Sequence, residues 1–156
     1  MPPALRVESL WKCYAAGVRG CSARAWVLRG LSITVQPGER IAIVGDAGSG
    51  KTTLVECMLG LRAPTAGVIE ISGRLEIVDL QNGRRSGGQV IGILEAPDLA
   101  SSRPSDLLTS VVVARRPDAL AAWADRMLLL RDGRLHSTSF RPARRRVAER
   151  GAASLR

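Results

Sequence analysis

The run Gly45-Asp46-Ala47-Gly48-Ser49-Gly50-Lys51-Thr52 has the G-x-x-x-x-G-K-T spacing of a loop that wraps a polyphosphate, and Thr53 follows it. Glycines let the backbone curl until successive N–H groups converge, and the start of a helix adds partial positive charge to the same concavity. Lys51 is expected to reach the β- and γ-phosphates of a nucleoside triphosphate, and the Thr52 hydroxyl to give one oxygen to an octahedral Mg²⁺. The plainer alternative is a glycine-rich turn that matches the pattern without using it. Residue choice argues against that alternative. The chain has 21 arginines and two lysines, Lys12 and Lys51, so lysine stands in the loop of a protein that otherwise selects arginine. A flat guanidinium cannot replace a compact ammonium there.

Such a loop works only between a strand and a helix, and both are in place. Arg40-Ile41-Ala42-Ile43-Val44 is a short branched apolar run, and Thr52 to Leu61 can form a helix. Leu5 to Trp11 and Leu31 to Val35 alternate apolar and polar residues as half-buried strands do, and Pro37-Gly38 marks a turn after them. Ala15 to Ala25 reads as a loop. Further strands are expected at Val68 to Ile71, Leu75 to Leu80, Val90 to Leu94 and Ser110 to Ala114. A short helix is expected within Ser101 to Leu108 and another from Pro117 to Ala124. Arg126 to Arg131, the turn Asp132-Gly133 and Arg134 to Ser137 read as a hairpin.

Composition narrows the class. With 156 residues, 46% of them hydrophobic, the chain can bury one core; one domain over residues 1–140 is expected. No apolar run approaches the roughly 20 residues that span a bilayer, and Met1-Pro2-Pro3 lacks the pattern of a secretory signal, so the expectation is a cytoplasmic chain. Cys13, Cys21 and Cys57 form neither a disulfide set nor a C-x-x-C pair and are expected to stay reduced. Much of the formal charge of +9 falls in residues 141–156, a basic and solvated tail with six arginines. No aromatic platform is interleaved with them, which makes a nucleic-acid partner an unfavoured reading.

Together these motifs resemble the nucleotide-binding domain of ABC transporters. Val27-Leu28-Arg29-Gly30-Leu31-Ser32 and Pro37-Gly38-Glu39-Arg40 resemble the family's approach to its P-loop. Leu59-Gly60-Leu61, Pro64-Thr65-Ala66-Gly67 and Ile71-Ser72-Gly73 resemble its continuation, and Ala124 to Leu135 its closing strands. The resemblance implies an α/β fold: a P-loop NTPase core of ABC type with an N-terminal antiparallel β portion. It also implies ATP and Mg²⁺ as cofactors, a transmembrane permease as partner, and a place at the membrane periphery. Tyr14 then lies where the family has an aromatic that stacks on adenine, with Trp11 as runner-up.

The middle of the chain departs from the family, and its helical subdomain is expected to be largely missing. Arg85-Ser86-Gly87-Gly88-Gln89 looks like the family's L-S-G-G-Q signature but stands too close to Lys51. One alignment puts Glu95 or Ala96 at the glutamine-loop position; another makes Ile93 to Pro97 a degenerate Asp-Glu-Pro segment. In both, the residue that polarises the attacking water is lost. Ala114-Arg115 stand where the family has Thr-His; Arg115 can pair with a γ-phosphate but cannot accept a proton from water. His136, the only histidine, is expected to be a partly exposed strand residue. Asp79, at the end of the Leu75 run, is the best internal candidate for a second metal ligand. The expectation is ATP–Mg²⁺ binding with hydrolysis weak or lost, in a heterodimer with an intact ABC domain. Three alternatives stay open: a nucleotide-dependent regulatory protein without turnover, another P-loop enzyme such as a small-molecule kinase, and a truncated inactive paralogue.

Overall fold

The computed structural model describes residues 2–15, 24–73, 75–79, 109–118 and 120–138. The strand and helix expected between Val90 and Leu108, the Gly-rich run 85–89, Glu95, Ala96, Cys21 and the basic tail lie outside them. The elements in chain order are β1 (Leu5–Ala15), β2 (Arg24–Val35), β3 (Arg40–Val44), α1 (Lys51–Met58), β4 (Ala66–Ile71), β5 (Leu75–Asp79), β6 (Thr109–Ala114), β7 (Arg126–Arg131) and β8 (Arg134–Ser137). Among the described residues α1 is the one α-helix.

Two sheets result. β2, β1 and β4 form an antiparallel sheet in that order, and β5-β6-β3-β7-β8 a second one, parallel except for β8. The parallel strands are short runs of branched residues because both faces are covered. β3 shows this directly. Ile41 and Ile43 enter a core shared with Leu54, Val55 and Met58 of α1 and with Leu5, Val7, Leu28 and Ile33 of the antiparallel sheet. Ala42 and Val44 point the other way, against Leu120, Trp123 and Met127. Caught between the sheets, α1 buries seven of its eight residues, Lys51 and Glu56 included.

The alternation of β1 changes phase at Ser9. Leu5 and Val7 are buried, and the next buried residue is Leu10. A bulge lies there: pairing with β2 shifts register between Val7 and Leu10, and Ser9 takes φ 46°. The Ser32 hydroxyl accepts a hydrogen bond from the Ser9 N–H at 2.9 Å. Beyond the bulge β1 runs on through Tyr14, so the strand is longer than its apolar alternation suggests.

The helix expected from Pro117 to Ala124 is not formed; the described residues there make turns. The N–H groups of Leu120 and Ala121 both bond Pro117 O, and those of Trp123 and Ala124 both bond Leu120 O. The segment must return the chain from β6 to the start of β7, where the Asp125 N–H bonds Arg40 O at 2.8 Å. Leu120, Trp123 and Ala124 are drawn into the sheet's second face along the way, and this packing outweighs local helix preference.

Glu76 in β5 is buried, and the Ser110 hydroxyl donates to its Oε2 at 3.2 Å. Burial pushes its carboxyl above the ordinary carboxylate range, and the Ser110 hydrogen bond partly opposes the rise. The folded state therefore keeps this proton to higher pH than the unfolded state. Stability falls as pH climbs from the ordinary carboxylate range through the raised folded value, then levels off. Glu76→Gln keeps the acceptor and removes the charge. Its melting temperature is expected to exceed the parent's at pH 7–8 and to converge with it at the acid end. Parallel curves across that range would contradict this.

Candidate functional site

Parallel pairing sets Val44 of β3 beside Ala114 of β6 on one flank and beside Leu129 of β7 on the other. The C-terminal ends of three strands thus gather in one place, where ligands sit in open α/β sheets. The loop Gly45–Gly50 leaves β3 at that point and turns into α1. Gly45 has to be glycine because a Cβ would fall on Leu130 O and lie 2.7 Å from Ser49 Oγ. Gly50 precedes the helix at φ 104°, a left-handed conformation that side chains rarely adopt.

Lys51 is 4% exposed, and its ammonium is turned back into the loop. Nζ donates to Gly45 O at 2.5 Å, Asp46 O at 2.6 Å and Ser49 Oγ at 3.2 Å. The closing hairpin supports the same loop from behind. Asp132 (φ 50°) and Gly133 (φ 73°) form its turn; the Gly133 N–H donates to Ser49 O at 3.2 Å, and Gly133 O accepts from the Arg29 N–H at 2.9 Å. The turn expected from Asp132-Gly133 is therefore also a strut under the P-loop.

A cavity opens on each flank of the loop. One, of about 400 Å³, is lined by Val27, Ala47, Gly48, Gly50, Lys51, Thr52, Thr53 and Arg115. The other, of about 430 Å³, is lined by Asp46, Ala47, Gly48 and Ser49 with Leu129 to Asp132. Charge distinguishes them. The first joins an ammonium, a guanidinium, two threonine hydroxyls and the start of a helix, a set suited to an anion. The second has two carboxylates on its walls, Asp46 and Asp132, against one guanidinium, Arg131, which itself lies beside Asp132, and so suits an anion less well.

The expected loop residues therefore divide. Ala47, Gly48, Gly50, Lys51, Thr52 and Thr53 line the cationic cavity. Gly45 is packed beneath the loop, and Asp46 and Ser49 face the other flank. Tyr14 is not among the residues that line the cationic cavity; its Oη lies 3.3 Å from Oγ1 of Thr53, which is. Trp11 is engaged elsewhere: it packs edge-on against Trp26, ring centroids 5.3 Å apart, and lies under Gly30. His136 is exposed on β8, opposite Leu129. Asp79 ends β5, as its sequence position suggests. Val27 is a lining residue that sequence reasoning missed, since it reads only as one more strand valine. Cys57 is buried, which pushes its thiol above the usual range. Neither Cys13 nor Cys57 is in a disulfide.

A parallel sheet whose central strand passes through a glycine loop into a buried helix, with a lysine folded under that loop, defines a P-loop nucleotide-binding domain. Residues 28–116 match the family described as ABC transporter. The chain belongs to that family. Over 83 residues it is 40% identical to the phosphonates import ATP-binding protein PhnC of Bdellovibrio bacteriovorus, a stretch that makes up 53% of this chain and 29% of that relative. Over 75 residues it is 43% identical to the lipoprotein-releasing system ATP-binding protein LolD of Psychrobacter arcticus, 48% of this chain and 31% of that one. The chain thus matches under a third of the length of these relatives. Among solved structures, a nucleotide-free ATP-binding cassette from an ABC transporter superimposes with a TM-score of 0.61 at 15% identity, covering 86% of this chain and 90% of the other. The cbiO1 subunit of a Clostridium perfringens ABC transporter complex gives 0.63 at 13%, covering 87% and 88%. At such identities the likeness is one of fold. Among the described residues no helix is long and apolar enough to cross a membrane.

Proposed function

We propose that this chain is an ATP-binding subunit or domain of an ABC-type transporter that takes ATP–Mg²⁺ on its P-loop, hydrolyses it weakly or not at all, and acts through a transmembrane permease. The observation that carries this reading is the cationic cavity, where Lys51, Thr52 and Arg115 converge on the mouth of the glycine loop. Phosphate oxygens would take over the bonds that Lys51 now makes to loop carbonyls. Among the described residues no group of three or more His, Cys, Asp or Glu side chains could hold a metal ion. The donors fit magnesium nonetheless, because Mg²⁺ is commonly bound through one or two protein oxygens, substrate phosphates and water. Thr52 would be such a ligand, and the ion would neutralise charge on the phosphates.

The same residues support binding more than turnover. The sequence has no Asp-Glu pair at the end of an apolar run, and Arg115 lines the cavity where a water-orienting acceptor is needed. Arg115 suits a different task, gripping a terminal phosphate through its forked donors. A domain of this kind would rely on a second, intact ABC domain for catalysis, which points to a heterodimer. The expected result is that saturating ATP with Mg²⁺ raises the melting temperature of the isolated chain while no phosphate is released. At a hundredfold excess over Kd the stabilisation is about 2.7 kcal/mol. Arg115→Ala should reduce the preference for ATP over ADP and leave ADP affinity near the parent's. Phosphate release at the rate of an ordinary ATPase would overturn the non-hydrolysing part of this reading; no thermal shift with ATP would overturn all of it.

A further inference from the structure

The outer face of the antiparallel sheet carries an apolar strip, and bulges decide what that face shows. The parity change at Ser9 sends Leu10 into the core and leaves Trp11 facing out. Gly30 (φ 65°) lets β2 pass close under the Trp11 ring, which a Cβ there would meet at 2.9 Å. A further register shift, between Lys12 and Cys13, puts Trp26 opposite Cys13. The two indoles then meet edge to face, centroids 5.3 Å apart and planes at 79°. In β4, Ala66 lies opposite Trp11 and Val68 opposite Glu8, while Ile69 and Ile71 pack against the core. Trp26, Trp11, Ala66 and Val68 thus run diagonally across all three strands.

The solvated face of an antiparallel sheet is ordinarily polar. This one is so at its other end, where Arg6 stands between Glu8 and Glu70. Among the described residues three large hydrophobic side chains are exposed, and two of them, Trp26 (38%) and Val68 (52%), belong to the strip. Tyr14, also on β1, shows the contrast. Arg62 Cζ and Lys12 Nζ lie 5.4 and 5.3 Å from its ring centroid, and Arg62 is itself ion-paired with Glu56. Among the described residues no cation covers the tryptophan pair in that way.

Charge selects the kind of partner. Arg29, opposite Trp11, is exposed, and no carboxylate among the described residues pairs with it. Glu8 and Glu70 are tied by Arg6, so the unpaired charge beside the strip is positive, as is the formal charge of the chain, +9. A second copy would bring like charge to like. An anionic bilayer surface satisfies each group: a tryptophan settles at headgroup level with its ring buried and its N–H wet, the valine leaves water, and the arginine meets lipid phosphate. Val68 speaks against a single-stranded nucleic acid, whose bases gain by stacking on rings. We propose that this face rests on an anionic membrane surface, with Trp26 entering the headgroup layer, Trp11 fixing its ring and Arg29 pairing with lipid phosphate. So few groups give a weak and reversible contact, one that would hold the domain against the bilayer directly.

The test uses the whole chain without nucleotide, so its result is separate from that of the P-loop. Vesicles are phosphatidylcholine with about a third phosphatidylglycerol, compared with phosphatidylcholine alone; brominated acyl chains in either quench a tryptophan that enters them. The chain is expected to bind the anionic vesicles, with quenched emission, and not the neutral ones. Trp26→Phe should lose most of the quenching and keep most of the binding, which assigns the signal to Trp26 rather than to Trp11 or the buried Trp123. Arg29→Gln is expected to weaken binding about fivefold and Val68→Ser about twofold. Both side chains are exposed, so these variants should fold like the parent. Residues 141–156 can also attract anionic vesicles, and quenching separates the two contacts. Binding without quenching, quenching unchanged in Trp26→Phe, or unchanged affinity in both Arg29→Gln and Val68→Ser overturns the proposal. So does equal affinity for neutral vesicles, or no binding. Emission quenched by a single-stranded oligonucleotide and not by vesicles assigns the face to nucleic acid and overturns it as well.

Discussion

Lys51→Ala is expected to lower ATP affinity by about two orders of magnitude while the protein stays folded. The ammonium is almost fully buried and already holds three loop oxygens, so it stands where phosphate oxygens would converge. Hydrogen bonds to charged groups contribute about 1.5–3 kcal/mol each, and losing two of them accounts for a change of that size. Lys51→Arg is expected not to rescue binding. A planar fork needs more room than a space that brings Nζ to both Gly45 O and Asp46 O, and its donors diverge where the ammonium's converge. Titration with a fluorescent ATP analogue reads both variants, with far-UV circular dichroism as the check on folding. Parent-like affinity in Lys51→Ala would remove the P-loop from the proposed function.

The second large effect is expected far from any ligand, at the hairpin turn. Gly133 has φ 73°, and a Cβ there would overlap the carbonyl oxygen of Val27. Its N–H supports Ser49 O, and its own carbonyl accepts from Arg29. Gly133→Ala therefore combines the left-handed penalty of about 1–2 kcal/mol with displacement of the turn or of β2. A total near 3 kcal/mol lowers the melting temperature by about 6–12 °C in a chain of this size. Gly73→Ala is the natural control, since Gly73 has φ 81° yet a Cβ would meet nothing within 4 Å. It should show the conformational penalty alone. Because Gly133 holds the P-loop from behind, the folded fraction of Gly133→Ala should also bind ATP more weakly, whereas Gly73→Ala should not. Equal melting temperatures for the two variants would mean that the turn moves away from Val27 without cost.

Where the sequence was most legible, local chemistry and tertiary demand coincide. β3, β6 and β7 are buried on both faces, so each had to be a short apolar run, and each reads as one. Asp132-Gly133 lies at a turn whose two positive φ angles call for those residue types. The glycine-lysine spacing of the P-loop is a local backbone device, visible without knowledge of the rest of the fold. Pro117 to Ala124 shows the opposite case. Its spacing suits a helix, but the chain there must seat Leu120 and Trp123 against the sheet and bring Asp125 to Arg40, and turns do that. The extent of β1 was hidden for a related reason. A bulge at Ser9 changes which parity faces inward, and alternation read across it loses phase.

By itself, then, the sequence determined the glycine-lysine loop, the strands that carry it and the kinship with ABC transporter domains, because each depends on residues close together in the chain. Only the tertiary structure decided which flank of the loop is cationic. It also decided that Arg115 faces that flank and that Glu56, Arg62 and Lys12 meet around Tyr14. Those relations join residues far apart in the chain, Val27 with Arg115 and Tyr14 with Arg62 among them, through the register of two sheets and the helix packed between them, and no local pattern in the chain encodes them.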